Sequence, residues 1–325
     1  MRRKADMIAA LERRPPRGAV PLWELEFQLW DAFSGGHLVL GAEFAELPAA
    51  SQELALRRNA ELILAVCRDL EFAAVSSPTP PWEQAPGDPA YYILPEEARF
   101  RQAAALREAA GDDVMIVGHA TAVLAADYRI EFCEALINSP GEIDALAREW
   151  LDRGLEAARR LRDAGAEAVF TASDLADNSG PFFSMAHMRR FILPYLDRWA
   201  EQCRAMGLYS ILHTDGLLPP PWLDAIADTA VDALQAIDPV AGMNMAATKA
   251  QVGDRLCLCG NVDCGLLCSG DPDEIGRATD SLLCDCTSGG GFVLGASNAV
   301  QREVPIDNYR AMLAVWKRHQ AEPSR

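Results

Sequence analysis

The chain has 325 residues, of which half are apolar, and its formal charge at pH 7 is −17. Binding to nucleic acid needs clustered lysine and arginine to neutralise phosphates, so the acidic balance argues against a nucleic-acid partner. A membrane helix needs about 20 consecutive apolar residues, and no uninterrupted stretch approaches that length. The basic first residues lead into a helical charge pattern without a cleavage site, which predicts a mature, cytoplasmic protein.

Short apolar segments alternate with longer helical patterns along the sequence, as expected for βα units that build a parallel sheet. Eight segments are predicted to be strands: residues 19–23, 72–75, 114–117, 168–171, 209–212, 231–234, 256–259 and 292–294. Several are almost wholly apolar, which is typical of strands buried on both faces. No repeat or linker divides the chain, so the sequence predicts one α/β domain over residues 1–325, a TIM (β/α)8 barrel.

Start signals mark several of the intervening helices. Ser139 precedes a proline and, three residues on, a glutamate, which is the pattern of a helix N-terminus. Asp271 begins the same pattern, and Ser184 is predicted to cap a helix that Pro194 should bend. These signals place helices between the predicted strands, as a barrel requires.

One connection, residues 76–95, is longer and richer in proline than an ordinary βα loop. It follows the second predicted strand and therefore belongs to the face of a barrel where active sites lie. It contains Trp82 and Tyr91, whose rings could close over a bound ring. The sequence is compatible both with a substrate-covering loop and with an insertion that has no such role.

Polar residues follow the C-terminal ends of the predicted strands, where they face the mouth of a barrel. Asp174, His213 and Asp215 are the candidate catalytic residues, because carboxylates and imidazoles bind substrates and exchange protons. The candidate substrate-binding residues are Glu24, Glu26, His119, Asn178, Gln235, Asn261, Asp263, Ser297 and Asn298. Each of these residues, Asp174 included, could instead cap a helix or a turn.

A zinc site is an alternative use of His213. A catalytic zinc needs three protein ligands, and Cys257, Cys259 and Cys264 lie downstream. The spacing does not identify such a site, because strand alternation puts Cys257 a layer below the mouth and Cys264 falls in the following loop. The nine cysteines include no CxxC pair. We therefore favour reduced thiols and expect no bound metal.

Several segments together resemble the motifs of the uroporphyrinogen decarboxylase superfamily. They are residues 174–184 continuing to 195, HTDG at 213–216, LCGNVD at 258–263, and GGGFVLG at 289–295 with VPIDNY at 304–309. Their order and spacing resemble the superfamily over residues 110–319, and the resemblance implies the barrel fold. The superfamily contains porphyrinogen decarboxylases and corrinoid-linked methyltransferases, so the resemblance leaves the reaction open.

Departures from the decarboxylases favour the methyltransferase branch. The chain has WELEFQ at 23–28 where those enzymes carry an arginine-bearing segment, and Glu24 and Glu26 would repel a polycarboxylate. GASN at 295–298 replaces their glycine–histidine–glycine segment. The zinc-dependent thiol methylases of the superfamily carry cysteine where this chain has Asp215, so their thiolate site cannot form here.

The resemblance therefore implies a methyltransferase that moves a methyl group between a corrinoid on a small partner protein and a small acceptor such as tetrahydrofolate. Asp174 and Asp215 would hold the acceptor ring and its proton, and His213 would orient the ring or exchange protons. Zinc-assisted thiol methylation or ether demethylation, a decarboxylase-like lyase reaction, and non-catalytic corrinoid or tetrapyrrole binding stay open. A homo-oligomer stays open as well.

Overall fold

The computed structural model of the chain describes residues 3–16, 18–78 and 93–321. The strands in these residues are β1 (Ala74–Ser76), β2 (Met115–His119), β3 (Ala168–Ala172), β4 (Ala176–Asp177), β5 (Gly180–Pro181), β6 (Tyr209–Thr214), β7 (Ala233–Ala236), β8 (Cys257–Cys259) and β9 (Phe292–Val293). Trp82 and Tyr91, whose rings could close over a bound ring, lie outside the described residues.

The helices of the same residues are α1 (Arg3–Leu11), α2 (Trp30–Ser34), α3 (Gly41–Ala45), α4 (Ala49–Leu70), α5 (Glu96–Ala110), α6 (Ile130–Asn138), α7 (Pro140–Asp163), α8 (Met185–His187), α9 (Leu193–Ala205), α10 (Pro220–Ala227), α11 (Met245–Val252), α12 (Cys264–Ser269), α13 (Pro272–Cys286) and α14 (Ile306–Ala321). A π-helix, Met188–Ile192, joins α8 to α9. Among the described helices, none combines the length and the apolar character needed to cross a membrane.

Seven strands form one parallel sheet in the order β1, β2, β3, β6, β7, β8, β9. Neighbouring strands in the sheet follow one another along the chain with helices between them, which is the arrangement of a (β/α)8 barrel. The register sets His213 of β6 opposite Gln235 of β7. The short antiparallel hairpin β4–β5 lies outside this sheet, between β3 and α8.

The first predicted strand completes the barrel, although it is not a continuous strand. Leu22 forms a single parallel bridge to Leu294. The amide of Trp23 donates to the carbonyl of Leu294 at 3.0 Å, and on the other side the amide of Ala73 donates to the carbonyl of Leu22 at 2.9 Å. Pro21 has no amide hydrogen, so this segment cannot build an unbroken ladder. The predicted TIM barrel is confirmed: seven strands form the sheet, and this segment takes the one strand position that remains.

The barrel interior is filled by apolar side chains from alternate positions of the strands. Buried members of this cluster are Met115, Val117, Ala168, Phe170, Ile211, Ala233, Cys257, Cys259 and Val293. Met7 and Leu11 of α1 join the same cluster, and Tyr209, the first residue of β6, donates to Glu12 just beyond α1 at 2.8 Å. Helix α1 therefore closes the end of the barrel where the strands begin, and the polar residues one step further along the strands face the other end.

The helix start signals are confirmed in position, and two of them are confirmed in their capping bonds. Asp271 is the N-cap of α13, and its carboxylate accepts hydrogen bonds from the amides two and three residues on, both at 2.9 Å. Ser184 caps α8 by accepting from the amide three residues on at 3.2 Å. Ser139 occupies the N-cap position of α7, but its side chain makes no capping bond. Pro194 lies in the first turn of α9, directly after the π-helix.

Candidate functional site

One histidine and two aspartates meet at the C-terminal end of the barrel. Asp174 follows β3, His213 lies near the end of β6, and Asp215 follows β6. Their potential ligand atoms all lie within 4.8 Å of one another. The Nε2 atom of His213 is 3.9 Å from Oδ2 of Asp215, and the amide of Asp215 donates to Oδ1 of Asp174 at 3.1 Å. The structure thus brings together the three residues that the sequence predicts as catalytic; their roles stay predictions.

The turn after β6 holds Asp215 over the mouth. Gly216 has φ of +89°, a conformation that favours glycine, and a Cβ atom there would lie 2.5 Å from the backbone carbonyl of Ala176. The hydroxyl of Thr214 accepts from the amide of Leu175 at 2.9 Å. These contacts tie the turn after β6 to the segment after β3, so the two aspartates are held by one connected unit.

Gln235 sets the orientation and the tautomer of His213. Its Nε2 donates to the carbonyls of Ala296 and Ser297 at 3.3 and 3.1 Å, so its Oε1 is the atom that faces the imidazole. That oxygen can only accept, and Nδ1 of His213 therefore carries a proton. In neutral His213 the lone pair of Nε2 then faces Asp215. The sequence predicts that Gln235 binds substrate, whereas the geometry makes it a positioning residue that acts through His213.

Asp215 is partly buried, and its surroundings disfavour its charge. Burial raises the pKa of Asp215 to about 6; His213 lowers it, while the carboxylates of Asp174 and Asp238 raise it. Asn298 lowers it slightly by donating its Nδ2 to Oδ2. Because Nε2 of His213 and Oδ2 of Asp215 are too far apart for a direct hydrogen bond, a donor or a cation placed between them would satisfy both. The pair can therefore hold one proton of a bound molecule.

His119 lies half-buried beside this cluster at the end of β2. Its ring stacks on Phe170 with centroids 4.8 Å apart, and its Nε2 lies 2.8 Å from the hydroxyl of Thr121. Burial lowers the pKa of His119 to about 3, with smaller contributions from the charges of Arg99 and His213. Within the described residues its Nδ1 has no hydrogen-bond partner. His119 is thus a neutral imidazole that could bond to a substrate but would not take up a second proton and become charged at neutral pH.

Glu24 and Glu26 are buried carboxyls that the structure does not place in the cluster. The carboxyl of Glu24 accepts from the hydroxyl of Tyr309 on α14 and from the amide of Ala296, both at 2.8 Å. Gln28 donates to Glu26 at 2.6 Å. Burial raises the pKa of Glu24 to about 8 and that of Glu26 to about 7. A protonated carboxyl repels no anion, so Glu24 does not supply the repulsion of polycarboxylates that the sequence predicts.

Four further candidates have backbone contacts or stand apart from the cluster. Asp263 caps α12 by accepting from two amides of its first turn at 2.6 and 3.2 Å. Asn261 donates to a backbone carbonyl just beyond β7, and the hydroxyl of Ser297 accepts from the first amide of α12 at 3.3 Å. Asn178 is exposed in the turn of the β4–β5 hairpin. Their binding to a substrate stays a prediction.

The cysteines considered as zinc ligands do not join His213. Cys257 and Cys259 are buried in the barrel interior, where the hydrogen bond between the two thiols, together with burial, raises the pKa of Cys259. Cys264 lies against the amide of Asn298 at 3.1 Å, and burial raises its pKa to about 11. Neutral thiols are poor metal ligands. Among the described residues, the potential metal ligands that cluster with His213 are the carboxylates of Asp174 and Asp215.

Comparison with known proteins identifies the family. The profile of the Uroporphyrinogen decarboxylase (URO-D) family matches residues 100–319. The chain belongs to this family. The uroporphyrinogen decarboxylase of Mannheimia succiniciproducens is 38% identical over 87 residues, which are 27% of this chain and 23% of that protein. That of Methylibium petroleiphilum is 31% identical over 159 residues, 46% of this chain and 40% of that protein.

The chain spans less than half the length of the curated relatives that it matches. A methyltransferase from Methanosarcina mazei matches in structure with a TM-score of 0.71 at 19% identity, covering 98% of this chain and 99% of that one. At this level of identity the likeness establishes a shared fold. The predicted superfamily is confirmed, and URO-D membership indicates an enzyme.

Proposed function

We propose that the chain is a methyltransferase that moves a methyl group between a corrinoid, carried on a small partner protein, and a small acceptor such as tetrahydrofolate. The observation that carries the proposal is the cluster of Asp174, His213 and Asp215 at the mouth of the barrel. Methylation of a ring nitrogen requires that the nitrogen is held in line with the methyl group and that one proton is removed. The cluster is suited to both tasks.

The chain's own residues would position the acceptor and manage its proton. A methylated corrinoid supplies an electrophilic methyl group when it is bound. The acceptor nitrogen uses its lone pair for the new bond to carbon and then loses its proton. Nε2 of His213 or Oδ2 of Asp215, which lie 3.9 Å apart, can accept that proton. Asp174, which is exposed, can accept hydrogen bonds from the N–H groups of a pterin-like ring.

An exposed apolar surface beside the mouth supports a protein partner. Helix α6 has no buried residue, and its Ile130 and Ile137 are 70% and 74% exposed. Tyr128, just before α6, packs edge-on against Phe182 with ring centroids 4.9 Å apart. Burial raises the pKa of Tyr128, and the nearby carboxylates of Asp177 and Asp174 raise it further. A carrier protein would have to deliver its corrinoid to the mouth, and an exposed apolar surface beside the mouth supports such an encounter.

The test uses methylcobalamin as surrogate donor and tetrahydrofolate as acceptor, and follows the loss of methyl–cobalt absorbance. Asp174→Asn should reduce methyl transfer by on the order of a hundredfold, the scale of losing a positioned acid or base, and leave folding nearly intact. Asp177→Asn is the matched control, because Asp177 accepts from the turn amides of Ser179 and Gly180 at 2.7 and 3.1 Å and an asparagine can do the same.

Two outcomes would contradict the proposal at different levels. Equal rates for the wild type and Asp174→Asn would remove this aspartate from the chemistry and leave His213 and Asp215 as the proton-handling groups. Absence of transfer by the wild type, with methylcobalamin and also with a methylated corrinoid protein as donor, would overturn the acceptor assignment.

The same cluster supports a second candidate, a metal-assisted methyl transfer to a thiol or from an ether. The imidazole of His213 and the carboxylates of Asp174 and Asp215 would give zinc three ligands and leave one position open for a substrate. The first candidate predicts no zinc that depends on His213. One equivalent of zinc per chain in protein purified without chelator, lost in His213→Ala, would contradict the first candidate and favour the second.

A further inference from the structure

A second group of potential metal ligands lies where α13 packs against α14. A carboxylate oxygen of Asp280, the Sγ atom of Cys284 and a ring nitrogen of His319 all lie within 4.8 Å of one another. Asp280 and Cys284 are four residues apart on α13 and so share one face of the helix. Nε2 of His319, near the end of α14, is 2.6 Å from Oδ1 of Asp280. The two helices are therefore already paired through these side chains.

This group is remote from the candidate active site. The outer helices of a barrel run antiparallel to its strands, so the final turns of α13 and α14 lie at the end where the strands begin. Cys284 is in the last turn of α13, ahead of β9, and His319 is in the last turn of α14. The cluster of Asp174, His213 and Asp215 lies at the opposite end of the barrel.

We propose that Asp280, Cys284 and His319 bind a zinc-type divalent cation. Oxygen, sulfur and nitrogen are the ligands that zinc takes from proteins, and three of them leave a fourth, tetrahedral position for water. A carboxylate, a thiolate and a neutral imidazole together carry two negative charges, which balance the ion. The site would link the end of α14 to α13.

The separations fit a tetrahedral ion after small movements. With metal–ligand bonds of about 2.0–2.3 Å, ligand atoms around zinc stand about 3.3–3.6 Å apart. Nε2 of His319 and Oδ1 of Asp280 are 2.6 Å apart, and no ligand atom of the three lies more than 4.8 Å from another, so movements of about 1 Å reach the required distances. Asp280 and Cys284 are exposed, so solvent-facing rotamers are open to both side chains.

An ordinary ion pair between His319 and Asp280 would by itself explain why these two side chains lie close together. The thiol of Cys284 is the third, and thiolate coordination distinguishes a metal site from an ordinary ion pair. It also distinguishes this site from the mouth, where the clustered ligands are one imidazole and two carboxylates. A probe that reports a thiolate bound to a metal therefore separates this site from the cluster at the mouth.

The experiment titrates the chelator-treated, full-length chain with cobalt(II), whose thiolate complexes show a charge-transfer absorbance that carboxylate and imidazole complexes lack. The wild type should develop this absorbance up to one equivalent, and added zinc should displace it. Cys284→Ser should abolish the absorbance. Both Cys284→Ser and His319→Gln should weaken zinc binding at least about tenfold, because even the loss of a partner outside the coordination shell costs that much.

Two controls keep the test specific. Cys133→Ser removes another exposed thiol, on α6, and His213→Ala removes the imidazole of the mouth. Both variants should bind cobalt with an unchanged thiolate absorbance. A wild type without this absorbance, or a Cys284→Ser variant that keeps it, would overturn the proposal. Because the readout is spectroscopic, the result does not depend on methyl transfer.

Discussion

The tautomer of His213 depends on a side chain that is itself held by the backbone. Gln235 is 1% exposed, and its amide nitrogen is committed to two carbonyls that follow β9. Its oxygen therefore has one role, to accept from Nδ1 of His213. In the neutral imidazole, the nitrogen that meets Asp215 is in consequence the unprotonated one, which is the state that a proton acceptor or a metal ligand requires.

Replacement of Gln235 by leucine should remove the preference of His213 for the Nδ1–H tautomer. The Nδ1–H group would lose its buried acceptor, which costs about 1–3 kcal/mol, and the proton would distribute between the two ring nitrogens. Nitrogen-15 NMR of labelled histidines reads the tautomer directly, and the chain has only five histidines, so His213→Gln assigns the signal. Gln235→Glu should keep the Nδ1–H form, because one carboxyl oxygen accepts from Nδ1 while the other, when protonated, donates to the carbonyls that bind Nε2 of Gln235. An Nε2–H tautomer in the wild type would contradict this account.

The sequence predicted which residues meet at the mouth better than it predicted their bonds. Asp174, His213 and Asp215 follow the C-terminal ends of two predicted strands, and in a barrel those ends lie at one face. The partners of Gln235 could not be predicted, because they lie 61 and 62 residues away and depend on how the last strand closes on the first. Tyr309, which binds Glu24, was not singled out, although it ends one of the motifs on which the resemblance rests.

Two helices share one start pattern in the sequence but differ in how they are capped. Asp271 has an extended backbone with φ −92° and ψ 155°, which aims its carboxylate at the first amides of α13. Ser139 has φ −134° and ψ 52°, because the same residue also ends α6. A local pattern shows that a helix begins, but it does not show that another helix ends at the same residue.

This difference predicts unequal effects of two alanine substitutions. Asp271→Ala should lower the free energy of unfolding by about 1 kcal/mol, since it removes a carboxylate that satisfies two amides. Ser139→Ala should change it by no more than about a few tenths of a kcal/mol, because no capping bond is lost. Urea denaturation at pH 7 measures both. Equal losses in the two variants would show that the sequence pattern, and not the observed bond, decides the cap.

The strand predictions were correct in order and less accurate in extent. Every predicted strand has a counterpart in the sheet or in the closing segment, since buried apolar runs between helices are a strong signal. Pro21 explains why the segment at 19–23 makes backbone bonds without becoming a regular strand. The β4–β5 hairpin was not predicted, because its strands have two residues each and carry no periodicity.

At the level of the whole molecule, buried carboxyls make stability depend on pH. Burial raises the pKa of Glu24 to about 8 and that of Glu26 to about 7, above an ordinary value of 4.5. Between these values the folded chain binds more protons than the unfolded chain, so the free energy of unfolding falls as the pH rises. The contribution of Glu24 is fully present below about pH 4.5 and is lost by about pH 8.

Glu24→Gln should remove much of this dependence between about pH 5 and pH 8.5. Glutamine resembles the protonated carboxyl in shape and charge, and it can still bond to Tyr309 and to the amide of Ala296. Because Glu24 is buried, the free energy of unfolding of the wild type should fall over this range by on the order of a few kcal/mol more than that of the variant. Urea denaturation at several pH values measures it, with Glu61→Gln, an exposed site on α4, as the control. If the Glu24→Gln variant and the wild type lose stability in parallel, Glu24 is ionised in the folded chain at neutral pH, and the charge at the closure of the barrel would then have to be balanced by other groups.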